Sequence, residues 1–214
     1  MLALLVKEIY PAIIGEGLEA GWPGLLVRLA GCNLRCSYCD TRYAWKGGKR
    51  MAVKQVVKIA REAGLEKILL TGGEPLAQEE AVELMAALLR AGHQVIVETN
   101  GSLPLERVPK KAHIIMDIKT PGSGEQSANN FSNLKFLKPG DELKFVLCHV
   151  RDYDWASHLL KSRGLAKKHI VNFSPAAGRL KASTLAGWMV RDRLTVRLNL
   201  QVHRLLFPGR SRGV

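Results

Sequence analysis

The sequence predicts an α/β fold: an open, partial barrel of the (β/α)6 type, built from parallel strands with helices between them. Short apolar runs typical of buried strands alternate along the chain with segments whose apolar residues recur at helical spacing. About six such strand–helix units fit, fewer than the eight of a closed (β/α)8 barrel. Because strands separated by helices pair in parallel through right-handed crossovers, we expect one open sheet in a single domain over residues 1–214.

Each element is predicted from its local pattern. Lys7 and Glu8 interrupt the apolar N-terminus, which favours a strand there over a secretory signal. Further strands are predicted over residues 25–29, 67–71, 94–98, 113–117, 143–150, 169–173 and 195–201. Helices are predicted over residues 51–63, 78–91, 152–162 and 180–191. Gly64 and Gly92 are placed to end the first two helices, and the polar stretch 121–130 is predicted to be a loop.

Composition and charge favour some classes of function over others. With 47% hydrophobic residues the chain can bury one core, and no stretch approaches the roughly 18 apolar residues of a membrane span. We therefore expect no membrane partner, and reduced cysteines suit a cytoplasmic location. The formal net charge of +13 can attract RNA or small anions. Because no aromatic-interleaved recognition module accompanies it, a solvated face is favoured over direct nucleic-acid binding.

The most informative feature is a loop that carries Cys32, Cys36 and Cys39 within eight residues. The C-x3-C-x2-C spacing supplies three thiolates, one fewer than the full shell of an iron–sulfur cube, and so leaves one iron open. A zinc site would need a fourth ligand close by, and a disulfide framework fits such tight spacing poorly. The fourth cysteine, Cys148, lies more than a hundred residues away and is predicted to be a buried strand thiol. The loop therefore favours a cluster held by three cysteines.

Other polar segments also follow predicted strands. They are residues 71–75 (TGGEP), 98–101 (ETNG), 117–119 (DIK) and 174–175 (SP). Any one of them could be an ordinary turn, but parallel α/β sheets bind their ligands at the carboxyl ends of the strands. The sequence therefore predicts a binding site at that rim, beside the cysteine loop.

Through the three-cysteine loop and the GGEP segment, the chain resembles the radical S-adenosylmethionine (SAM) superfamily. The resemblance implies a [4Fe-4S] cluster whose open iron is chelated by the amino and carboxylate groups of SAM. Reduction of the cluster, by flavodoxin or ferredoxin, then cleaves SAM to a 5′-deoxyadenosyl radical. A glycine-rich segment lets backbone approach the SAM amino group without a side chain in the way.

A narrower resemblance covers nearly the whole chain. Residues 14–17 (IGEG), 27–36 (VRLAGCNLRC), 39–41 (CDT), 98–101 (ETNG), 117–121 (DIKTP) and 201–203 (QVH) are similar to the 7-carboxy-7-deazaguanine synthase family of queuosine biosynthesis. This implies a carbon–nitrogen lyase that converts 6-carboxy-5,6,7,8-tetrahydropterin to 7-carboxy-7-deazaguanine. The ring contracts, ammonia is released, SAM is regenerated and Mg²⁺ assists. The family also suggests a homodimer.

The resemblance assigns substrate contacts to matching positions. Arg28 would clamp the substrate carboxylate, and Glu16 and Glu98 would accept hydrogen bonds from neighbouring N–H groups of the pterin. His203 would move a proton, although a lone histidine is equally compatible with a core position. Glu16, Arg28 and His203 are thus the predicted catalytic residues. The remaining substrate contacts are assigned to Ile13, Ile14, Gly15, Thr71 and Val214, with Ile14 standing where the family usually has Gln.

Cofactor contacts are assigned in the same way. Ser37, Tyr38 and Asp40 would flank the adenine and ribose of SAM, and Gly73 would lie near its amino group. Thr41 would supply a hydroxyl ligand to Mg²⁺, a hard cation that prefers oxygen. The other predicted SAM contacts are Asp117, Ile118, Lys119, Phe173, Ser174, Pro175, Ala176 and Gln201.

Two other functions stay open at the level of sequence. A glycyl-radical enzyme activase shares the cysteine loop and acts on a protein partner, but it does not explain residues 98–101 or 201–203. Outside the superfamily, the alternative is a basic RNA-binding protein with a structural metal. Zinc in place of iron, together with salt-dependent RNA binding, would favour that alternative.

Overall fold

Nine strands and five α-helices form the part of the chain that the structure, a computed structural model, describes: residues 3–210 and 213. The strands are β1 (Ala3–Ile13), β2 (Pro23–Leu29), β3 (Lys49–Ala52), β4 (Lys67–Gly72), β5 (Gln94–Thr99), β6 (His113–Asp117), β7 (Glu142–Leu147), β8 (Ile170–Pro175) and β9 (Arg197–Leu198). The helices are α1 (Val53–Ala63), α2 (Glu80–Arg90), α3 (Val150–Arg163), α4 (Ala182–Arg191) and α5 (Val202–Leu206).

The strands pair in one open sheet, in the order β3-β1-β2-β4-β5-β6-β7-β8-β9. From β2 to β9 every neighbouring pair is parallel, which confirms the predicted open α/β architecture. One edge differs from the all-parallel expectation, because β1 runs antiparallel to both β2 and β3. The connection between β1 and β2, residues 14–22, is too short to hold a crossover helix, and antiparallel strands need none.

Several predicted elements have different lengths in the structure. The predicted strand 195–201 shrinks to the two residues of β9, and the predicted strand 143–150 ends at Leu147 because α3 already begins at Val150. The connections from β5 to β6 and from β6 to β7 contain no α-helix, contrary to regular strand–helix alternation. The predicted loop 121–130 includes two 3-10 turns. Because β5, β6 and β7 are parallel neighbours in the sheet, their carboxyl ends lie close together.

The two faces of the sheet carry two different apolar layers. Side chains alternate between faces along a strand, so in β4 Ile68 and Leu70 join the large core while Leu69 faces the opposite side. The buried apolar residues of the helices belong to the large core. The smaller layer on the opposite face consists of Ile14, Leu26, Leu69, Ile96 and Ile115. This second layer forms an apolar floor beneath the rim where the polar segments meet.

The helices end largely as their sequences predict. The predicted stops Gly64 and Gly92 lie just beyond α1 and α2, with φ of 64° and 92°. Gly164, which was not among the predicted stops, follows α3 with φ of 63°. Glycine adopts such positive φ at little cost. No helix in residues 3–210 is long and apolar enough to cross a membrane.

Candidate active site

A cavity of about 590 Å³ opens at the carboxyl ends of the parallel strands. It gathers residues from β1 and the loop after it, from the cysteine loop, from the ends of β2 and β4 to β8, and from the segment that contains α5. The residues that line it include Ile13, Ile14, Gly15, Glu16, Arg28, Cys32, Cys36, Tyr38, Cys39, Asp40, Thr41, Thr71, Gly73, Glu98, Asp117, Lys119, Lys144, Ser174, Pro175, Ala176, Gln201 and His203. Nearly all the segments that the sequence marked as functional therefore share one wall.

The cysteine loop is fixed by its backbone, which leaves the three thiols on the cavity wall. The N–H of Ser37 donates to the carbonyl of Ser123 at 2.9 Å, and its hydroxyl donates to the carbonyl of Gly122 at 2.6 Å. The carbonyl of Ser37 accepts hydrogen bonds from Arg42 and Arg179, each at 2.8 Å. The loop is thus tied to the segment after β6 and to the segment after β8.

The three thiols have the chemistry that an iron–sulfur cluster needs. Cys32, Cys36 and Cys39 are free, half-buried and on one cavity. Burial raises the pKa of Cys36 to about 11, against the opposing charge of Lys119, so a metal must supply positive charge to hold this thiolate. Within residues 3–210, no three Cys, His, Asp or Glu side chains form a shell around a single ion.

Two buried polar atoms in the described part of the chain have no hydrogen-bond partner and belong to residues of this wall. They are the hydroxyl of Tyr38 and Oδ1 of Asp117, whose other oxygen accepts from Lys119 at 2.7 Å. Buried polar groups are nearly always satisfied, so unsatisfied ones on a cavity wall indicate a position that binds a polar ligand. A polar cofactor bound next to the cysteines fits both atoms.

The GGEP segment joins the end of β4 to its neighbours. Glu74 is fully buried and accepts hydrogen bonds from the hydroxyl of Thr99 at 2.9 Å and from the N–H of Asn100 at 2.6 Å. A Cβ on Gly73 would overlap the carbonyl oxygen of Gly31, immediately before Cys32. Gly73 therefore has to be glycine for the cysteine loop to pack here, in addition to any approach by SAM.

The buried ammonium of Lys144 lies between two partly buried carboxylates, those of Glu16 and Glu98. Lys144 Nζ lies 2.9 Å from Glu16 Oε2 and 3.9 Å from Glu98 Oε1. Thr71 donates to the other oxygen of Glu98 at 3.2 Å, and Gln201 donates to the other oxygen of Glu16 at 2.9 Å. The two carboxylates come from the loop after β1 and the end of β5, which brings predicted substrate contacts from distant segments together.

The charges of these groups depend on one another. Burial raises the pKa of Glu16, but the Lys144 ammonium and the hydrogen bonds from Lys144 and Gln201 outweigh it, so the net pKa is lowered. For Glu98, burial together with repulsion from Glu16 outweighs the attraction of Lys144, so the pKa is raised. Burial lowers the pKa of Lys144, but the two glutamates raise it well above its usual value. Lys144 therefore stays charged.

Lys144 is a site residue that the sequence reasoning missed. Its strand was interpreted only as an apolar run, yet a lysine amid Leu143, Phe145 and Val146 is the one charged residue in the middle of that run. Register with Asp117 on β6 and Asn172 on β8 turns it toward the cavity. Asn199, which donates to Glu16 at 3.2 Å, was missed as well because it followed from no motif.

Arg28 is oriented by the carboxylate of Glu8. Its Nε donates to Glu8 Oε1 at 2.7 Å, and the hydroxyl of Tyr43 donates to the same oxygen at 2.6 Å. Glu8 lies opposite Arg28 in the antiparallel pairing of β1 and β2. The guanidinium is thus held on the cavity wall at a defined angle.

The segment from Gln201 to α5 closes one side of the cavity. Arg204 and Gln201 donate to Asp40 Oδ2 at 2.9 and 3.2 Å, and Thr41 donates to Asp40 Oδ1 at 2.8 Å. His203 packs so closely on Gly15 that a Cβ at that position would lie 2.6 Å from the ring Nδ1. Burial lowers the pKa of His203 in spite of attraction by Glu16 and Asp40, which favours a neutral imidazole.

Comparisons with known proteins identify the family. The radical SAM superfamily model matches residues 26–146. 7-Carboxy-7-deazaguanine synthase of Koribacter versatilis is 38% identical, over 98% of this chain and 99% of the relative. That of Chlorobaculum tepidum is 39% identical, over 99% and 97%. The chain belongs to the 7-carboxy-7-deazaguanine synthase family. It is therefore a radical SAM enzyme that uses a [4Fe-4S] cluster and SAM.

Solved structures agree on the fold of this family. The crystal structure of QueE from Escherichia coli superposes with a TM-score of 0.79 at 19% identity, covering 95% of this chain and 96% of that one. SuiB of Streptococcus suis superposes with a TM-score of 0.59 at 12% identity, over 82% of this chain and 47% of that one. At these identities the likeness shows a shared fold.

A few predicted site residues lie away from the cavity. Phe173 and Ile118 are in the large core because strand alternation turns their side chains there, and Phe173 packs edge-on against Phe145. The Ser37 side chain faces the segment after β6. Only backbone atoms of Phe173 and Ile118 remain available for the predicted SAM contacts. Val214 lies outside the described residues.

Cys148 is buried, as predicted, and does not line the cavity. It lies one residue beyond the end of β7, its N–H donates to Asp152 at 2.8 Å, and its thiol lies 3.8 Å from Arg179. Burial raises the pKa of this thiol. Its contacts are with the segment around Gly122 and with α3, which supports a structural role.

Proposed function

We propose that this chain converts 6-carboxy-5,6,7,8-tetrahydropterin to 7-carboxy-7-deazaguanine with release of ammonia. The observation that carries the proposal is the meeting, on one cavity, of three free cysteines with Arg28 and the Glu16–Lys144–Glu98 group. A planar substrate with a carboxylate at one end and N–H donors at the other matches a guanidinium and two carboxylates in chemical type.

The substrate roles follow from the contacts of each side chain. Arg28, held through Nε by Glu8, binds the substrate carboxylate, while Glu16 and Glu98 accept N–H groups of the pterin ring. Neutral His203 is suited to take a proton as ammonia leaves. Backbone of Ile13, Ile14 and Gly15, the hydroxyl of Thr71 and the C-terminal Val214 complete the proposed substrate contacts. The Ile14 side chain belongs to the apolar floor, so it packs against the ring and forms no hydrogen bond.

The cofactor roles are proposed on the same wall. Cys32, Cys36 and Cys39 hold the cluster, and when bound the cluster and SAM supply the one-electron chemistry that removes a hydrogen atom from the substrate. Asp117 and Tyr38, each with an unpartnered buried oxygen, and Lys119 contact SAM. The residues proposed to complete the SAM contacts are Ser37, Asp40, Gly73, Ile118, Phe173, Ser174, Pro175, Ala176 and Gln201. The protein orients these groups and excludes water from the reacting carbon.

Magnesium and the protein partners belong to this proposal. Thr41 is the proposed Mg²⁺ ligand, because its hydroxyl oxygen lies on the cavity wall beside Asp40. We also infer a flavodoxin or ferredoxin as electron donor, a homodimer, one domain over residues 1–214 and a cytoplasmic location. The overall charge of +13 is suited to attract an acidic electron carrier.

Anaerobic reconstitution followed by an assay tests the proposal. The chain is loaded with iron and sulfide, reduced in the presence of SAM and Mg²⁺, and supplied with the carboxylated tetrahydropterin deuterated at C6. We expect the deazapurine acid and ammonia as products, with deuterium entering SAM. SAM cleavage without the deazapurine acid would point to another substrate and overturn the proposal. An activase instead leaves the pterin unchanged and transfers hydrogen from a protein.

A further inference from the structure

The proposed function gives Lys144 no contact of its own with substrate or cofactor, although its ammonium lies close to both predicted substrate carboxylates. Its side chain is 11% exposed, and those of Glu16 and Glu98 are 13% and 21% exposed. A buried lysine is costly unless it is paired, so three ionisable groups at this depth have to be explained together. Lys144 reaches both carboxylates from a strand that supplies none of the predicted contacts.

The Lys144 ammonium contacts Glu16 directly but lies further from Glu98. Glu16 Oε2 is bound directly by the ammonium at 2.9 Å, and Asn199 also donates to that oxygen, at 3.2 Å. Glu98 Oε1 is 3.9 Å from the ammonium, beyond a hydrogen bond, while its Oε2 accepts from Thr71. Glu98 Oε1 is therefore stabilised by nearby charge but is open to a stronger donor from a ligand.

We propose that Lys144 is a positioning residue for substrate: its ammonium keeps Glu16 and Glu98 together as ionised carboxylates that receive adjacent N–H groups of the pterin. This inference rests on the proposed function and deepens it. Two carboxylates at close range cannot both stay ionised in a buried site without a cation, since their repulsion favours protonation of one. A protonated carboxyl has lost acceptor capacity and would present an O–H toward the pterin N–H.

Other ionisable groups face this cluster from neighbouring elements. They are Asp117 on β6, Lys119 after β6, Tyr38 in the cysteine loop, Arg28 on β2 and, beyond Glu16, Asp40 and His203. Lys119 pairs with Asp117 at 2.7 Å, and Arg28 pairs with Glu8 at 2.7 Å. Each of these cations already has its own carboxylate, so Lys144 is the cation assigned to Glu16 and Glu98.

Removal of the ammonium should therefore change how binding depends on pH. In Lys144→Met the pKa of the coupled carboxylates rises, and N–H acceptance is present above that pKa and lost as the pH falls through it. The pH below which the ligand dissociates should move upward by about one unit or more, which is about a tenfold loss of affinity at a fixed pH within that window. Lys144→Arg keeps the positive charge and should retain most of the affinity.

The test uses the anaerobically reconstituted holoenzyme with SAM and the fluorescent probe pterin-6-carboxylate, titrated from about pH 5 to about pH 8. Wild type, Lys144→Met and Lys144→Arg are compared, so the titration of the probe itself is common to all. Lys67→Met is the matched control, because Lys67 is 12% exposed and pairs with Glu19 at 2.8 Å away from the cavity. It should bind the probe as wild type does at every pH.

A double-mutant cycle adds a second readout. If Lys144 acts through Glu98, Lys144→Met should reduce probe affinity less in a Glu98→Gln background than in wild type. Glutamine at position 98 carries no negative charge for the ammonium to stabilise. A pH profile of Lys144→Met that coincides with wild type, or a loss of affinity equal at every pH, overturns the inference while leaving the function standing. A wild-type enzyme that neither binds the probe nor converts the tetrahydropterin overturns the function itself.

Discussion

Replacement of Gly73 by alanine tests whether the end of β4 and the cysteine loop are built against each other. The added Cβ would overlap the carbonyl oxygen of Gly31 and lie 2.6 Å from its carbonyl carbon and 2.8 Å from Cys32 Cβ. Real Cβ atoms essentially never approach this closely, and the nearest atoms are backbone, so the loop that begins with Cys32 must move. Overpacking of this kind costs about 1–3 kcal/mol.

That cost sets the size of the expected effects. For a chain of this length it lowers the melting temperature by about 2–12 °C, with Cys32 displaced from the other two thiols. We therefore expect Gly73→Ala to fold with reduced stability and to retain less iron and sulfide after anaerobic reconstitution. Melting is followed by circular dichroism, and the cluster by absorbance and iron content.

The matched control is Gly187→Ala in α4. A Cβ at Gly187 would meet nothing within 4 Å, so alanine there should stabilise the chain by about 0.5–1 kcal/mol through helix propensity and leave cluster content unchanged. If Gly73→Ala matched wild type in both melting temperature and iron content, the close packing of β4 on the cysteine loop would be refuted.

Two further predictions concern pH. Burial raises the pKa of Glu142, but its hydrogen bonds with His113, the N–H of Leu18 and Asn172 outweigh burial and lower the pKa below 4.5. The stability that this carboxylate contributes is therefore present above pH 4.5 and is lost as the pH falls through the folded-state pKa. Glu142→Gln should flatten the acid limb of stability measured by denaturant unfolding, and an unchanged limb would contradict this. Burial lowers the pKa of His203 below 6.5, so the proposed proton transfer should be lost only as the pH falls below 6.5. His203→Asn should lower kcat and abolish that acid limb, and a variant with the wild-type pH–rate profile would exclude His203 as the proton acceptor.

Much of the fold followed from the sequence because its signals are local. Short apolar runs predicted the parallel strands β2 and β4 to β8, and apolar residues at helical spacing, with glycine stops, predicted four of the helices. The antiparallel edge formed by β1 and β3 was missed because pairing direction depends on the connections and on partners far away in sequence. The shortness of β9 was missed for a related reason, since Asn199 and Gln201 bond to Glu16 and leave the strand.

The candidate site could be predicted where residue type and spacing carry the chemistry. The cysteine loop, Arg28, Glu16 and Glu98 belong to recognisable segments, and the structure brings them to one cavity. Lys144 belongs to no motif, and its role depends on the distance of 2.9 Å between its Nζ and Oε2 of Glu16, a residue 128 positions away. Phe173 and Ile118 were predicted to contact SAM because they belong to segments that match the family. Strand alternation decides which residues of such a segment face the cavity, and it turns these two side chains into the large core.

The most direct test of the central claim is an iron and sulfide count on the anaerobically reconstituted chain. We predict about four irons and four sulfides per chain in wild type and in Cys148→Ala, with SAM binding to both, and loss of the cluster in Cys36→Ser. A cluster that depends on Cys148, or a single metal ion in place of iron and sulfide, would contradict the account.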